Sequence, residues 1–240
     1  MVDLSKMTKW ELGKCFDHSV LPKNTTEADI RSGCEEAIKY NCAAFYPSTN
    51  YWLPVTTEML KGTGVLAATT FDFPFGTGTP TAKGYMAEEA VKLGAEAIDM
   101  VMNIGALKSG HIDTVKEELK NVKSVAGNDI LTKCIMDVNF LTDDEIRTAT
   151  GLIVEAGLDY AKTSSGQFDG PSMEQFLIMK EVCKGTGVKL KVAGVKFPRP
   201  QNAYAFLMAG ADLIGTRAAI QIINAFDQMR EIGIVPKYQG

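Results

Sequence analysis

Apolar, strand-like runs recur along the chain at intervals of about 24–34 residues, the length of one strand, loop, helix and return loop. Eight such runs centre on Lys14–Ser19, Cys42–Pro47, Val65–Pro74, Ala97–Asn103, Ile130–Val138, Tyr160–Gly166, Lys189–Val195 and Leu213–Ala219. The segments between them carry helical patterning. Val115, Leu119, Val122 and Val125 form one apolar stripe among Lys and Glu, and Gly127 ends it. Thr142-Asp143-Asp144-Glu145 is a capping box whose Thr and Glu side chains satisfy free backbone N–H groups, which predicts a helix through Ile146 to Ala156. The same reading applies to Ile30–Tyr40.

Eight alternations of strand and helix predict a parallel sheet covered by helices and closed into a (β/α)8 TIM barrel, of class α/β. An open doubly wound sheet is the structural alternative, but the first run is not followed by the G-x-G-x-x-G turn that one common form carries. No low-complexity segment or linker divides the 240 residues, so a single domain over 1–240 is expected. Pro198, Arg199 and Pro200 follow the seventh run, where a loop would stand at the catalytic rim.

Composition acts mainly by exclusion. A hydrophobic share of 45% with 22% charged residues leaves enough apolar side chain for a sizeable core. The formal charge of -4 argues against nucleic acid or a membrane surface as a partner. Cys15, Cys34, Cys42, Cys134 and Cys183 are scattered without a C-x-x-C pair, which fits reduced thiols in a cytoplasmic protein and suggests neither disulfides nor zinc. No stretch has the length of a membrane span, and Met1 to Lys6 lacks the apolar run of a signal peptide. Trp10 and Trp52 are expected to pack, and His111 to face solvent on a helix.

In a barrel the active site lies where strands hand over to loops at their C-terminal ends. Asp17 and Ser19, Asp72, Asp99 and Asn103, Asp137 and Asn139, Lys162, Lys191 and Arg217 all fall at such positions. Charges inside apolar strands need partners, so mutual ion pairing of Asp99 and Lys162 is the purely structural reading. The two lysines sharpen the choice. Neighbouring strands lie about 4.8 Å apart, so Lys162 and Lys191, both pointing inward, would bring two ammonium groups together. A cationic neighbour and desolvation each favour the neutral amine, the only form that attacks a carbonyl to give an imine.

These residues resemble the deoxyribose-phosphate aldolase family through nearly the whole chain. The resemblance rests on Asp17-His18-Ser19-Val20-Leu21-Pro22, the Phe73-Pro74-x-Gly76 turn, Ile98-Asp99-Met100-Val101-x-Asn103 with the following Ile104 to Gly110, Ala161-Lys162-Thr163-Ser164-Ser165-Gly166, and Gly187-Val188-Lys189-x-Lys191. It implies that Lys162 is the Schiff-base lysine, Lys191 the neighbour that lowers its pKa, and Asp99 the carboxylate that assists proton transfer. It also implies reversible carbon–carbon cleavage with acetaldehyde as the typical donor, no metal or cofactor, and a homodimer or homotetramer. The family's C-terminal tyrosine acts near the site, and Tyr238 stands as its counterpart.

The phosphate end departs from that pattern. A Gly-Gly-x-Arg turn after the seventh strand is replaced by Gly194-Val195-Lys196-Phe197, a Gly-x-Ser-Ser after the eighth by Gly215-Thr216-Arg217-Ala218, and a basic residue after Gly166 by Gln167. Arg217 and Lys196 then hold either a phosphate or a carboxylate, the latter suiting the guanidinium fork. Candidate substrate-binding residues are Asp17, Ser19, Asp72, Ser164, Gly166, Gly194, Lys196, Gly215 and Arg217. His18 is a further candidate, against its reading as a structural hydrogen-bonding residue. Two other functions compete with the aldolase: a sugar-phosphate isomerase using Asp99 and Asp137 as acid and base, and a catalytically silent barrel that binds an anionic metabolite.

Overall fold

Each of the eight apolar runs forms a strand in a computed structural model of the chain, which describes residues 2–240. They are β1 Phe16–Val20, β2 Ala44–Pro47, β3 Leu66–Phe71, β4 Ala97–Val101, β5 Leu131–Ile135, β6 Tyr160–Lys162, β7 Lys189–Ala193 and β8 Leu213–Thr216. All pair in parallel in chain order, and β8 closes onto β1 through Phe16↔Ile214 and Asp17↔Gly215. The sheet is therefore a closed barrel, and the open doubly wound alternative is excluded. Around it run α1 Glu27–Lys39, α2 Leu53–Leu60, α3 Pro80–Lys92, α4 Ile112–Ala126, α5 Asp143–Ala156, α6 Met173–Cys183, α7 Arg199–Ala209 and α8 Ala219–Asn224. No helix among the described residues is long and apolar enough to cross a membrane.

Capping sets the helix starts. Thr142 accepts from Glu145 N–H while Glu145 reaches back to Thr142 N–H, and Thr26 with Asp29 does the same for α1. Several strands stop short of the apolar runs that announced them. The chain turns at Asp72 and Asp137, both with positive φ, and at Gly166, so the apolar stretch continues while the hydrogen-bonded ladder ends.

Alternation along the strands separates two interiors. Phe16, Ile98, Met100, Cys134, Ala161, Val192 and Ile214 share one buried core with helix residues such as Ile30, Leu119, Val122, Ile146, Phe176 and Leu207. A smaller cluster of Ala44, Tyr46, Ala68 and Ala97, with Leu66 and Leu131 packed on it, fills the lower barrel. Above that small-residue floor the inward positions are Asp17, Asp99, Lys133, Lys162 and Lys191, all buried. All five cysteines are buried and unpaired. Trp52 is partly buried against the core, whereas Trp10 is exposed, because its helix is only the four residues Lys9–Leu12 and buries Leu12 alone. His111 is exposed at the start of α4, as expected.

The α4 stripe holds at Val115, Leu119 and Val122, while Val125 is half-buried and Ala126 is buried in its place. Glu118, on what the pattern marks as a polar face, is fully buried beside Lys83 of α3. Lys83 also donates to the carbonyls of Gly76 and Val101, at 3.0 and 2.7 Å, and Glu118 accepts the Asn103 N–H at 2.8 Å. The pair thus ties the loop after β3 to the end of β4. Removing one member leaves a lone buried charge, so Lys83→Ala should lower the unfolding free energy by about 3–5 kcal/mol in a urea titration, and Lys83→Met with Glu118→Leu should recover most of it.

Candidate active site

The barrel's inward layer brings three lysines and two aspartates into mutual contact. Lys162 Nζ and Lys191 Nζ each lie 2.7 Å from the same oxygen, Oδ2 of Asp99. Lys191 is also 2.7 Å from Asp17, and Lys133 of β5 stands 3.6 Å from Asp17 and 3.7 Å from Asp99. Tyr46 of β2 donates its hydroxyl proton to Asp99 Oδ1 at 2.7 Å and accepts from Lys133 at 2.5 Å, while Lys191 sits over its ring at 4.1 Å. Gly215 makes this crowding feasible: a Cβ there would lie 2.8 Å from Lys191 Cε.

The ionisation pattern follows from these distances. Burial drives the Lys162 amine down, and repulsion from Lys191 adds to this against the pull of Asp99, leaving its pKa at about 8. For Lys191 burial acts the same way, but Asp17 and Asp99 together outweigh it and its pKa is raised. Burial opposes ionisation of Asp99, yet Lys162, Lys191 and Lys133 overcome it and hold the carboxyl far below the usual range. Lys162 is therefore the member of the cluster poised to lose its proton near neutrality.

Asp17, Ser19, Leu21, Tyr46, Thr70, Phe73, Lys162, Ser165, Lys191, Ala193 and Gly215 line the pocket above the cluster. Four of these, Ser19, Leu21, Ser165 and Gly215, also line an adjoining polar pocket with Gly166, Gln167, Gly194, Val195, Arg199, Thr216 and Arg217. Gly166 and Gly194 both have positive φ, which lets the backbone turn toward this space. Arg199 stacks on Phe197 at 4.2 Å, and neither Arg199 nor Arg217 has a carboxylate within 4.0 Å among the described residues. Two uncompensated guanidinium groups beside glycine-rich backbone form an anion-binding constellation. Among the described residues no group of three or more His, Cys, Asp or Glu side chains is placed to hold a metal ion.

Lys162, Lys191, Asp99, Asp17, Ser19, Gly166, Gly194, Gly215 and Arg217 thus converge on one connected space. Four sequence assignments are corrected by position, and His18 takes the structural role weighed for it. Asp72 turns its carboxylate to Gly78 N–H at 2.8 Å and lies 3.4 Å from Lys83, because its left-handed backbone points it into the loop. Lys196 is exposed on the rim, 3.4 Å from Asp169. Ser164 is buried beneath Gly194, and Ser165 faces the pocket instead. Tyr238 packs against Arg230 at 5.1 Å, and Arg230 holds the carbonyls of Leu4 and Met7 ahead of β1, so the tyrosine belongs to the opposite end of the barrel. His18 points outward to Glu36 of α1 at 3.1 Å, the structural reading.

Sequence reasoning passed over Lys133, Tyr46, Ser165 and Arg199 as site residues. Lys133 carried a usable signal, a lysine at an inward position of an apolar strand, but it lies below the strand end where the search concentrated. Tyr46, an aromatic residue in an apolar run, carries no local signal that distinguishes it from a packing residue.

The chain is similar to known aldolases over most of its length. The family described as DeoC/LacD family aldolase matches residues 13–199. Deoxyribose-phosphate aldolase 1 of Mesoplasma florum is 39% identical over 215 residues, covering 89% of this chain and 96% of that protein. The deoxyribose-phosphate aldolase of Caldicellulosiruptor saccharolyticus is 37% identical over 221 residues, covering 91% and 99% respectively. Among solved structures, the aldolase QR15 superposes with a TM-score of 0.83 at 28% identity over 97% of this chain and all of its own. A deoxyribose phosphate aldolase from Aeropyrum pernix shares the fold, with a TM-score of 0.83 at 23% identity over 92% of this chain and 93% of its own. The chain belongs to the DeoC/LacD family of aldolases.

Since only the neutral amine attacks, imine formation at Lys162 should accelerate as pH rises through about 8 and level off above it. In Lys191→Met the repulsion disappears and Asp99 is left more fully to Lys162. Both changes raise the lysine's pKa, so the rise should move to higher pH in stopped-flow or borohydride-quench measurements across pH 6 to about 10.

Proposed function

We propose that this aldolase, a carbon–carbon lyase, acts through an imine between Lys162 Nζ and the carbonyl of a 2-deoxyribose 5-phosphate-like sugar, splitting it reversibly into acetaldehyde and a phosphorylated aldehyde. The observation that carries the reading is Lys162 itself, buried, 2.7 Å from Asp99 and held next to a second ammonium group. The neutral amine adds to the substrate carbonyl. Asp99, with Tyr46 on its other oxygen, stands where protons must be exchanged as the carbinolamine loses water to become an iminium. The iminium then accepts the electron pair of the breaking carbon–carbon bond while the β-hydroxyl loses its proton and becomes the aldehyde. Protonation of the resulting enamine at carbon restores an iminium, whose hydrolysis returns the amine and the donor aldehyde.

Arg217 and Arg199 would grip the anionic end of the substrate in the adjoining pocket, in place of the small-residue grip that the family resemblance implies. The names of the relatives favour phosphate there. A carboxylate is the chemical alternative, since a guanidinium fork serves both. Residues 1–240 would act as one domain and assemble as a homodimer or homotetramer, in keeping with the family. A reducing, cytoplasmic setting suits the five unpaired thiols. The isomerase reading loses support because Asp99 is saturated by cations and is a poor general base.

Borohydride reduction in the presence of acetaldehyde or 2-deoxyribose 5-phosphate should leave a mass adduct on Lys162. Lys162→Arg should lose the adduct and at least about 10³-fold in kcat/KM, an effect of covalent catalysis that a merely structural lysine would not show. Full activity in Lys162→Arg would overturn the imine. Arg217→Ala should raise KM for the phosphorylated substrate about tenfold or more with little change in kcat, and should leave acetaldehyde trapping intact.

A further inference from the structure

Cleavage and condensation both require a group that exchanges a proton with the carbon next to the imine. By resemblance that group would be a C-terminal tyrosine, yet Tyr238 packs on Arg230 at the far end of the barrel. Another group must take the role. Four aspartates stand at the strand ends, and three are committed to cations. Asp17 pairs with Lys191 at 2.7 Å, Asp99 with Lys162 and Lys191 at 2.7 Å, and Asp72 lies 3.4 Å from Lys83. Asp137 alone of the four has no lysine or arginine within 4.0 Å among the described residues.

Its placement is specific. Met136 and Val138 donate their N–H groups to the carbonyls of Lys162 and Thr163, so Asp137 rides on the neighbouring strand just above the lysine, on the side from which substrate enters. Its backbone is left-handed, with φ 44 and ψ 62, and its Oδ1 accepts the N–H of Ser165 at 2.6 Å. Ser165 in turn lines the lysine pocket. Asp137 also borders an apolar cavity formed by Pro74, Val101, Met102 and Met136 and roofed by Phe75, Phe140 and Phe168. The three rings come from three different loops and meet at centroid distances of 6.2 and 5.3 Å. A carboxylate on such a wall is poorly hydrated, and burial raises its pKa from the ordinary value, which makes it a stronger base than Asp99, whose carboxyl the lysines hold far below the usual range.

Resting on the Lys162 imine, we propose that Asp137 is the catalytic residue that exchanges the proton on the carbon adjacent to the iminium. The carboxylate takes that proton, the C–H electron pair becomes the carbon–carbon double bond of the enamine, and the iminium electron pair returns to nitrogen. In the cleavage direction the carboxylate takes the proton that the β-hydroxyl releases as the carbon–carbon bond breaks, and delivers it to the enamine carbon before the imine is hydrolysed.

The test separates imine from proton exchange. With acetaldehyde in D2O, NMR follows exchange of the methyl protons while borohydride trapping follows the imine. Asp137→Asn keeps an acceptor for Ser165 N–H and suits left-handed backbone. It should slow exchange at least about 100-fold and leave trapping within about threefold of the parent, the span expected for loss of a general base. Tyr238→Phe should leave both unchanged. Exchange near the parent rate in Asp137→Asn overturns the proposal, as does loss of exchange in Tyr238→Phe. Joint loss of trapping and exchange in Asp137→Asn also overturns it, because the residue would then only hold the site together. Absence of trapping in the parent protein would defeat the imine reading first.

Discussion

One carboxylate oxygen organises the molecule. Asp99 Oδ2 lies 2.7 Å from both Lys162 and Lys191, and all three residues are buried in the barrel interior. Three lysines and two aspartates share this layer, so full ionisation would leave one unbalanced positive charge in a poorly solvating interior. Unbalanced buried charge is strongly disfavoured. Release of one proton restores neutrality, and Lys162, the lysine of the three most open to the pocket, is where burial and repulsion make that release easiest. The protonation state that carbonyl chemistry needs is thus a property of the packing. The alanines beneath and Gly215 alongside leave the space in which the long side chains extend.

Much of this was legible in the sequence, for identifiable reasons. The eight strands announce themselves because both faces of a barrel strand are covered, and the helices because their apolar stripes repeat at helical spacing. Lys162, Lys191 and Asp99 stood out because a charge in an apolar strand needs a partner. What stayed hidden depends on direction. Nothing in the local pattern says that Asp72 would swing into its own loop, that Ser165 and not Ser164 would face the pocket, or that Glu118 would be drawn into the core by Lys83. Those outcomes are set by turns in left-handed backbone and by pairings across 35 residues of chain. The tail was misplaced for a related reason: Arg230 fastens it to the segment ahead of β1, a contact between opposite ends of the sequence.

The site divides into two halves under different constraints. At the lysine end the charged groups are held by one another, through Tyr46, Lys133 and the two aspartates, so a substitution there disturbs several ionisation states together. At the anion end neither Arg199 nor Arg217 has a carboxylate within 4.0 Å among the described residues. Their geometry is set by the ligand more than by the fold, which makes this half the easier one to alter without loss of the reactive amine. The correspondence with family motifs is close at the first end and loose at the second, as this difference in constraint would produce.

The alanine floor of the barrel has a further consequence for the order of events. With the lower interior packed by Ala44, Ala68 and Ala97, and by Leu66 and Leu131 against them, the chamber above the lysines is closed from below. Under the proposed imine, the fragment tethered to Lys162 would sit at its base, with the untethered fragment between that tether and the exit. Departure would then be sequential by architecture: the free aldehyde would vacate the chamber before water could reach and discharge the tethered one, and synthesis would load the two partners in the reverse sequence.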